Sequence, residues 1–442
     1  MVSDAAQATE TTVPRGGSDP IARSPVYPQG SRTNERGHLE VGGCDVVELA
    51  AEFGTPAYIY VPADIRARAR AFVAAFEART DSFEVLYASK AAPVTAVYEL
   101  CRQEGLSVDV ASGGELHMAL GAGFDPARIY MHGNNKTDAE LRYAFESGIG
   151  CLVLDSFDEI ARADALLDRP QRALIRVTPG IKPSTHTYIQ TGQLDSKFGF
   201  GLADGLAARA VDAVDSSRHL DLVGIHAHIG SQIFELEPYM KAIEVIADFA
   251  GEIGPEIVNI GGGLGIAYTD ADAPPSIEHY VDVKVEAIRR LFEHVPRILI
   301  EPGRSLVGNA GLTLYTVGTV KEIPGVRSYV SVDGGMSDNL RPMLYDAVYQ
   351  GLIANRAGAE PDSTVTVSGM HCESGDVLIR DARLADPQVG DLLATPATGA
   401  YGYAMANNYN GVPRPPVIFC EDGDAQVVVR RESWEDLVAR DV

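Results

Sequence analysis

Short apolar runs alternate with helix-like segments between residues 83 and 301. In the connecting segments, apolar residues recur at helical spacing, as in Val94, Val97, Tyr98 and Cys101. Alternating strands and helices predict a parallel sheet, and eight repeats predict an α/β fold closed into a TIM-like (β/α)8 barrel. The eight runs are Phe83–Ala88, Leu106–Val110, Arg128–Met131, Cys151–Leu154, Arg172–Val177, Leu222–Ile229, Glu256–Ile260 and Arg297–Glu301.

The pattern changes after about residue 308, where strand-like runs are separated by Gly, Pro and Asp. These runs are Leu312–Val320, Ser328–Val332, Thr364–Val367 and Gln426–Val429. They predict an all-β C-terminal domain over residues 309–442. We expect a flexible N-terminal tail over 1–38, a strand segment over 39–62 and the barrel over 63–308. Within these, Tyr58–Val61 is strand-like and should pair with the β domain, and Ala63–Ala78 is a predicted helix.

Composition narrows the class of protein. The chain has 442 residues and a net charge of −24, which argues against binding to nucleic acid or to anionic membranes, although solubility alone also accounts for it. No run approaches 18 apolar residues, and the first 38 lack the apolar core of a secretion signal. The five cysteines show no metal-ligand spacing, so we expect a cytoplasmic protein without a metal site.

The candidate chemistry lies at the carboxyl ends of the predicted strands, where barrel active sites are built. Lys90 follows the first strand, and its amine can condense with a carbonyl to form a Schiff base, helped by desolvation. The alternative is an ordinary solvated lysine in a loop. What makes Lys90 informative is the set of polar residues at later strand ends: Asp109, Arg176, His226, His228, Glu301 and Arg304.

Three consecutive glycines, Gly261, Gly262 and Gly263, follow the seventh strand, and Arg304 follows the eighth. The loops after these two strands form the usual phosphate site of such barrels, and glycines let backbone N–H groups approach a phosphate. A plain turn is the alternative. A lysine together with a phosphate site suggests pyridoxal 5'-phosphate (PLP), which needs a Schiff-base lysine and a partner for its ring nitrogen.

Glu301 can be that partner, and His228 can lie over the ring face. Their alternatives are a helix cap or salt bridge for the carboxylate and a buried, hydrogen-bonded imidazole for the histidine. For each residue considered separately, the alternative role is at least as well supported as the role in PLP binding. Taken together at successive strand ends, the residues favour it.

Nine motifs in order make the chain similar to the fold-type III PLP-dependent decarboxylases over about residues 40 to 440. They are YASKA at 87–91, DVASGGEL at 109–116, HGNNK at 132–136, SKFG at 196–199, HAHIGSQ at 226–232, NIGGGLG at 259–265, EPGR at 301–304, HCESGD at 371–376 and GAYGYAM at 399–405. The resemblance implies a PLP-binding barrel, a C-terminal β-sandwich domain and a head-to-tail homodimer with two shared active sites.

The resemblance also implies roles for individual residues. Lys90 would carry the cofactor, His228 would stack on its ring, Glu301 would meet the ring nitrogen, and Cys372 would be a proton donor supplied by the second subunit. Lys197 would form a salt bridge with Asp376 of that subunit. The remaining cofactor-binding residues would be Asp109, Arg176, Ser231, Gly261, Gly262, Gly263, Gly303, Arg304 and Tyr401.

For the substrate, Glu373 would bind a distal amino group, while Arg341 and Tyr345 would bind a distal carboxylate with Arg304 and Tyr401. A substrate with both groups at its far end implies decarboxylation of meso-2,6-diaminopimelate to L-lysine and CO2. The nearest alternative is a related decarboxylase of ornithine, lysine, arginine or carboxynorspermidine. An alanine-racemase-like enzyme would need a tyrosine base where Cys372 stands, and a non-enzymatic PLP-binding protein would be a bare barrel.

Overall fold

The computed structural model describes residues 19–181 and 196–442. Eight parallel strands form the predicted closed barrel, in the spatial order β9-β11-β12-β13-β5-β6-β7-β8, with β8 pairing back to β9. Each strand overlaps one of the eight apolar runs. The strands are β5 (Phe83–Ala88), β6 (Ser107–Val110), β7 (Ile129–Met131), β8 (Cys151–Leu154), β9 (Gln171–Thr178), β11 (Leu220–His226), β12 (Ile257–Asn259) and β13 (Arg297–Ile300).

A layer of helices surrounds the barrel, and its first member confirms the predicted helix to within one residue at each end. Local signals set the helix ends: in α6, Thr137 and Glu140 form a capping box, and Gly148 ends the helix with a φ of 75°. The helices are α3 (Pro62–Glu77), α4 (Thr95–Gln103), α5 (Gly113–Gly121), α6 (Asp138–Ser147), α7 (Phe157–Leu166), α8 (Leu206–Asp215), α9 (Glu237–Ile253), α10 (Ile277–Leu291) and α11 (Arg304–Val307). A short strand, β10 (Phe200–Gly201), pairs in parallel with the end of β9.

Apolar side chains fill the centre of the barrel. A buried cluster made only of strand residues contains Leu86, Tyr130, Cys151, Val153, Leu174, Val223, Ile257 and Leu299. Because this cluster packs the interior, the barrel is not a pore, and polar chemistry is confined to its ends.

The C-terminal domain is all-β, as predicted, and consists of two sheets that share β14 (Gly311–Ile323). The first half of β14 pairs with β4 (Ala57–Tyr60) and β19 (Leu392–Pro396). Its second half pairs with β15 (Arg327–Val332), with a register shift between Val317 and Thr319. The elements are β14 (Gly311–Ile323), β15 (Arg327–Val332), α12 (Arg341–Tyr345), β16 (Leu352–Ile353), β17 (Ser363–Ser368), β18 (Val377–Leu384), β19 (Leu392–Pro396), β20 (Val417–Glu421), β21 (Asp424–Val429) and α13 (Trp434–Val438).

Four of these strands were not predicted from the sequence, namely β16, β18, β19 and β20. Every residue of β19 is buried, so it shows no apolar–polar alternation, and β18 contains Asp381 with a φ of 52°. Because of these features, the apolar–polar alternation that predicts a strand is missing from their sequences.

The strand before the barrel belongs to the β domain, which confirms the expected pairing. β4 (Ala57–Tyr60) lies between β14, to which it is antiparallel, and β20, to which it is parallel. Consequently the chain contributes a strand to the β domain before the barrel and returns to this sheet after it.

The expected flexible tail over 1–38 is wrong for residues 19–38, while residues 1–18 lie outside the described part of the chain. Asp19 caps helix α1 (Pro20–Arg23), and Ile21, Val26 and Tyr27 are buried in the core of the β domain. These apolar residues are too sparse to predict a helix or a strand, but each packs against the hydrophobic core of the β domain. The segment continues through β1 (Arg32–Thr33), β2 (Leu39–Val41), β3 (Cys44–Asp45) and α2 (Val46–Phe53).

Among the helices of residues 19–181 and 196–442, none combines the length and apolar character that crossing a membrane requires.

Candidate active site

A cavity of about 520 Å³ lies at the carboxyl ends of the barrel strands, closed on one side by residues of the β domain. Ten of the predicted cofactor- and substrate-binding residues line it, so the strand ends and α12 surround one space. They are Lys90, Asp109, Arg176, His228, Ser231, Glu301, Arg304, Arg341, Tyr345 and Tyr401.

Lys90 stands in a single 3-10 turn, Ser89–Ala91, directly after β5. Its side chain projects into the cavity, where it is accessible to a small molecule. Burial acts to lower the pKa of the Lys90 amine, but Asp109, Tyr401 and Glu301 together raise it above the ordinary value. In the protein alone, these neighbouring groups therefore outweigh burial, and the activation of Lys90 by desolvation stays a prediction.

Glu301 is held on both carboxylate oxygens. Asn259 Nδ2 donates to Oε1 at 2.7 Å, His132 Nε2 lies 3.1 Å from the same oxygen, and His226 Nε2 lies 3.3 Å from Oε2. Burial would raise the pKa of Glu301, but the two histidines lower it well below its ordinary value. An ionised carboxylate in fixed orientation suits a partner for a protonated ring nitrogen.

Sequence reasoning assigned no role to His132, His226 or Asn259, although both histidines follow or end a strand and Asn259 begins the NIGGGLG motif. Asp109 lies near Glu301, and the pKa of Asp109 is raised to about 6, mainly by burial and then by Glu301. The positions of these residues at strand ends therefore indicated a place in the site, but only the tertiary structure shows their contacts with Glu301.

Within the described residues, His132, His226 and Glu301 also form a group whose potential metal-ligating atoms all lie within 4.8 Å of one another. A cation there would compete for the carboxylate oxygens that suit the cofactor ring. The prediction that the chain has no metal site stays a prediction.

His228 and Arg176 face the same cavity. Burial lowers the pKa of His228 well below its ordinary value, which leaves a neutral imidazole suited to stacking on a ring. The Arg176 guanidinium lies 4.3 Å from the Phe198 ring centroid, and its Nε is 3.8 Å from Asp155 Oδ1. These contacts orient Arg176 beside the space predicted for the cofactor.

The glycine loop and Arg304 form the predicted phosphate end. A small adjoining cavity of about 50 Å³ is lined by Gly263, Gly303, Ser231, Arg304 and Tyr401, among others. Arg304 Nη2 donates to Ser231 Oγ at 2.8 Å, and its guanidinium lies 4.7 Å from the Tyr401 ring centroid. Hydroxyl and guanidinium donors beside a glycine loop fit a phosphate group.

The glycines are required by space as well as by conformation. Gly261 and Gly263 have φ values of 63° and 109°, and a Cβ on Gly263 would lie 2.5 Å from both Gly230 O and Tyr239 Oη. A Cβ on Gly262 would lie 2.2 Å from the backbone oxygen of Glu301. Gly261 and Gly262 thus pack against neighbouring strand ends, while Gly263 faces the small cavity.

Arg341 is buried and lines the same cavity. It donates to Tyr349 Oη at 2.5 Å, and its guanidinium lies 4.6 Å from the ring centroid of Tyr268. Arg304 donates to the hydroxyl of the same Tyr268. Sequence reasoning missed both tyrosines. Tyr268 contacts both arginines, and among the described residues no carboxylate forms an ion pair with either of them.

Cys372 and Glu373 do not line the cavity of their own chain. Both are exposed, and Glu373 accepts a hydrogen bond from Tyr409. Their loop is held by His371, whose Nε2 lies 2.8 Å from Ser337 Oγ, and by Asp376. Asp376 accepts hydrogen bonds from the backbone N–H groups of Met336 and His371 at 2.7 and 2.8 Å. The expected ion pair of Asp376 with Lys197 of a second subunit stays a prediction.

Comparison with known proteins agrees with this geometry. The family description "Pyridoxal-dependent decarboxylase, pyridoxal binding domain" matches residues 62–308. The chain is 50% identical over 425 residues to a diaminopimelate decarboxylase of Bacillus subtilis, covering 93% of this chain and 97% of that protein. It is also 50% identical over 428 residues to one of Halalkalibacterium halodurans, with the same coverage. A crystal structure of diaminopimelate decarboxylase from M. jannaschii in co-complex with L-lysine matches with a TM-score of 0.87 and 33% identity, covering 93% of this chain and 97% of that chain.

Proposed function

Because the chain belongs to the family of pyridoxal-dependent decarboxylases, we propose that it converts meso-2,6-diaminopimelate to L-lysine and CO2, the last step of lysine biosynthesis. It is an enzyme, a carboxy-lyase, and its cofactor is PLP. The observation that carries the substrate assignment is the shared pocket of Lys90 and the buried Arg341, in a chain that matches diaminopimelate decarboxylases over nearly its full length.

PLP supplies an electron sink for the electron pair left when CO2 departs. The protein binds the cofactor and sets the protonation of its ring. Lys90 attaches the cofactor, the ionised Glu301 keeps a proton on the ring nitrogen, and the neutral His228 packs on the ring face. The glycine loop, Ser231 and Arg304 bind the phosphate, and Asp109 and Arg176 complete the cofactor site.

Arg341, Tyr345 and Tyr401 bind the distal carboxylate of the substrate, with Arg304 on the cofactor side. Among the residues that the structure describes, no carboxylate forms an ion pair with Arg341, whose guanidinium lies against the rings of Tyr268 and Tyr349. A buried, uncompensated guanidinium favours an anionic ligand. A substrate with only an amine at its far end would leave that charge without a partner.

A second copy of the chain completes the site in a head-to-tail homodimer. Cys372 would return a proton to the carbon that lost CO2, and Glu373 would bind the distal amino group. Support comes from the exposure of both residues and from apolar side chains beside them, since Met343 and Met370 are 47% and 52% exposed. Exposed apolar residues next to a functional loop are typical of a contact surface. We assign the enzyme to the cytoplasm.

Mixing two inactive variants tests the shared site. Lys90→Ala and Cys372→Ala homodimers should each be nearly inactive, whereas subunit exchange should restore activity, because one of the two sites in a mixed dimer would be intact. The measurement is CO2 release before and after exchange, with exchange followed by differently tagged subunits. Absence of recovery despite demonstrated exchange would mean that Cys372 serves its own chain or has no catalytic role.

The reaction itself is tested by CO2 release from a panel of amino acids. We expect turnover of meso-diaminopimelate and at least about a hundredfold lower kcat/KM with lysine, ornithine and arginine, because a site built for a polar group rejects analogues that lack it. Mass spectrometry should identify L-lysine as the product. Efficient release from ornithine, arginine or carboxynorspermidine instead would replace the proposed substrate while leaving the decarboxylase chemistry in place.

A further inference from the structure

Lys284 on α10 is a fully buried lysine that the proposed reaction does not use. Its Nζ donates to Tyr280 Oη at 2.7 Å and to the backbone oxygen of Ile260 at 3.4 Å. It also lies 4.2 Å from the ring centroids of both Tyr239 and Tyr280. In the described residues, no carboxylate forms an ion pair with Lys284. A buried amine with this environment is costly unless something compensates its charge.

The two tyrosines connect Lys284 to the glycine loop. Tyr280 Oη donates to the carbonyl oxygen of Gly262 at 3.1 Å, and Tyr239 Oη lies 3.3 Å from the same oxygen. The bond between Gly262 and Gly263 is trans, so the Gly263 N–H points opposite to that carbonyl. Because Gly263 lines the small cavity of the phosphate end, fixing the carbonyl on the helix side directs this N–H toward the cavity.

The charged and titratable groups that face Lys284 are few. Tyr239 comes from α9, Tyr280 from its own helix, and Glu301 acts from the end of β13. Burial lowers the pKa of Lys284 well below its ordinary value, and Glu301 opposes this only in part. An anion on the opposite side of the glycine loop would therefore favour the protonated amine, and the protonated amine would favour the anion.

We propose that Lys284 is a positioning residue for the cofactor phosphate, which acts from behind the glycine loop through Tyr280 and the Gly262 carbonyl and adds positive charge to the phosphate site. The proposal rests on the proposed function only in taking PLP as the ligand of this loop. In this proposal Lys284 stabilises the bound phosphate group rather than the cofactor ring or the substrate.

The test compares PLP with pyridoxal, which lacks the phosphate. Apoenzyme prepared from the holoenzyme is titrated with each compound, and affinity is read from the absorbance of the bound cofactor. Lys284→Met should weaken PLP binding roughly ten- to hundredfold, the range expected for one charge-assisted hydrogen bond. Its affinity for pyridoxal should change less than about threefold. Lys241→Met is the matched control, since Lys241 is an exposed lysine of α9 and should leave both affinities unchanged.

Tyr280→Phe provides a second variant in case Lys284→Met fails to fold. It keeps the ring and removes the hydroxyl that links Lys284 to Gly262, so it should also weaken PLP more than pyridoxal. Equal losses for the two compounds, or no loss in either variant, would overturn the proposal and leave Lys284 a packing residue. Failure of the wild-type apoenzyme to bind PLP would instead contradict the proposed function, so the two failures are distinct.

Discussion

Replacement of Lys90 by alanine is expected to reduce decarboxylation by a factor on the order of 10³ or more, as loss of a central catalytic group typically does. Lys90 projects into the cavity beside Asp109, Glu301 and Tyr401. Without its amine the enzyme loses the covalent attachment that places the cofactor against Glu301 and His228. The variant should still bind PLP through the phosphate end, but reversibly.

Borohydride reduction followed by peptide mapping checks this expectation. In the wild type the reduced cofactor should be found on the peptide that contains Lys90, and in Lys90→Ala no peptide should carry it. Lys197→Ala is the matched control, because Lys197 also lines the cavity and its removal should leave the label on Lys90. A label on any other lysine of the wild type would overturn the assignment of the cofactor-bearing residue.

Replacement of Arg341 by alanine is expected to lower kcat/KM for meso-diaminopimelate roughly a thousandfold, since a lost buried charge contact is worth several kcal/mol. Arg341 is 5% exposed, and its guanidinium contacts the rings of Tyr268 and Tyr349 rather than Lys90 or Glu301. The PLP absorbance spectrum and the affinity for PLP should therefore be unchanged. Tyr349→Phe should cause a smaller loss, because it removes only the hydroxyl that accepts from Arg341.

Steady-state kinetics with several substrates measure this effect. The wild type should discriminate strongly against L-lysine, which lacks the distal carboxylate, and Arg341→Ala should lose most of that discrimination. L,L-diaminopimelate should be a poor substrate, because Arg341 and Glu373 would hold the L-end and present the D-carbon to the cofactor. Comparable turnover of lysine or ornithine by the wild type would contradict the role of Arg341 and favour the related decarboxylases.

Local patterns in the sequence predicted most of the barrel and many of the residues of its site. Each strand and helix has its own apolar spacing, and parallel strands bring their carboxyl ends to one edge. For this reason the positions of Lys90, Asp109, Arg176, His228 and Glu301 at strand ends were enough to predict one shared pocket. The family motifs added Arg341, Tyr345 and Tyr401, which the sequence places far from the barrel strands.

The tertiary structure alone decided which groups touch. The contacts of His132, His226 and Asn259 with Glu301, and the hydrogen bond of Tyr280 to the Gly262 carbonyl, join residues from different strands and helices. Residues 19–38, predicted as a tail, pack on the β domain because a core built from distant strands is there to receive Ile21, Val26 and Tyr27. Side-chain contacts and the pKa values that follow from them depend on burial and on distances between segments far apart in the chain, and local spacing carries no record of either.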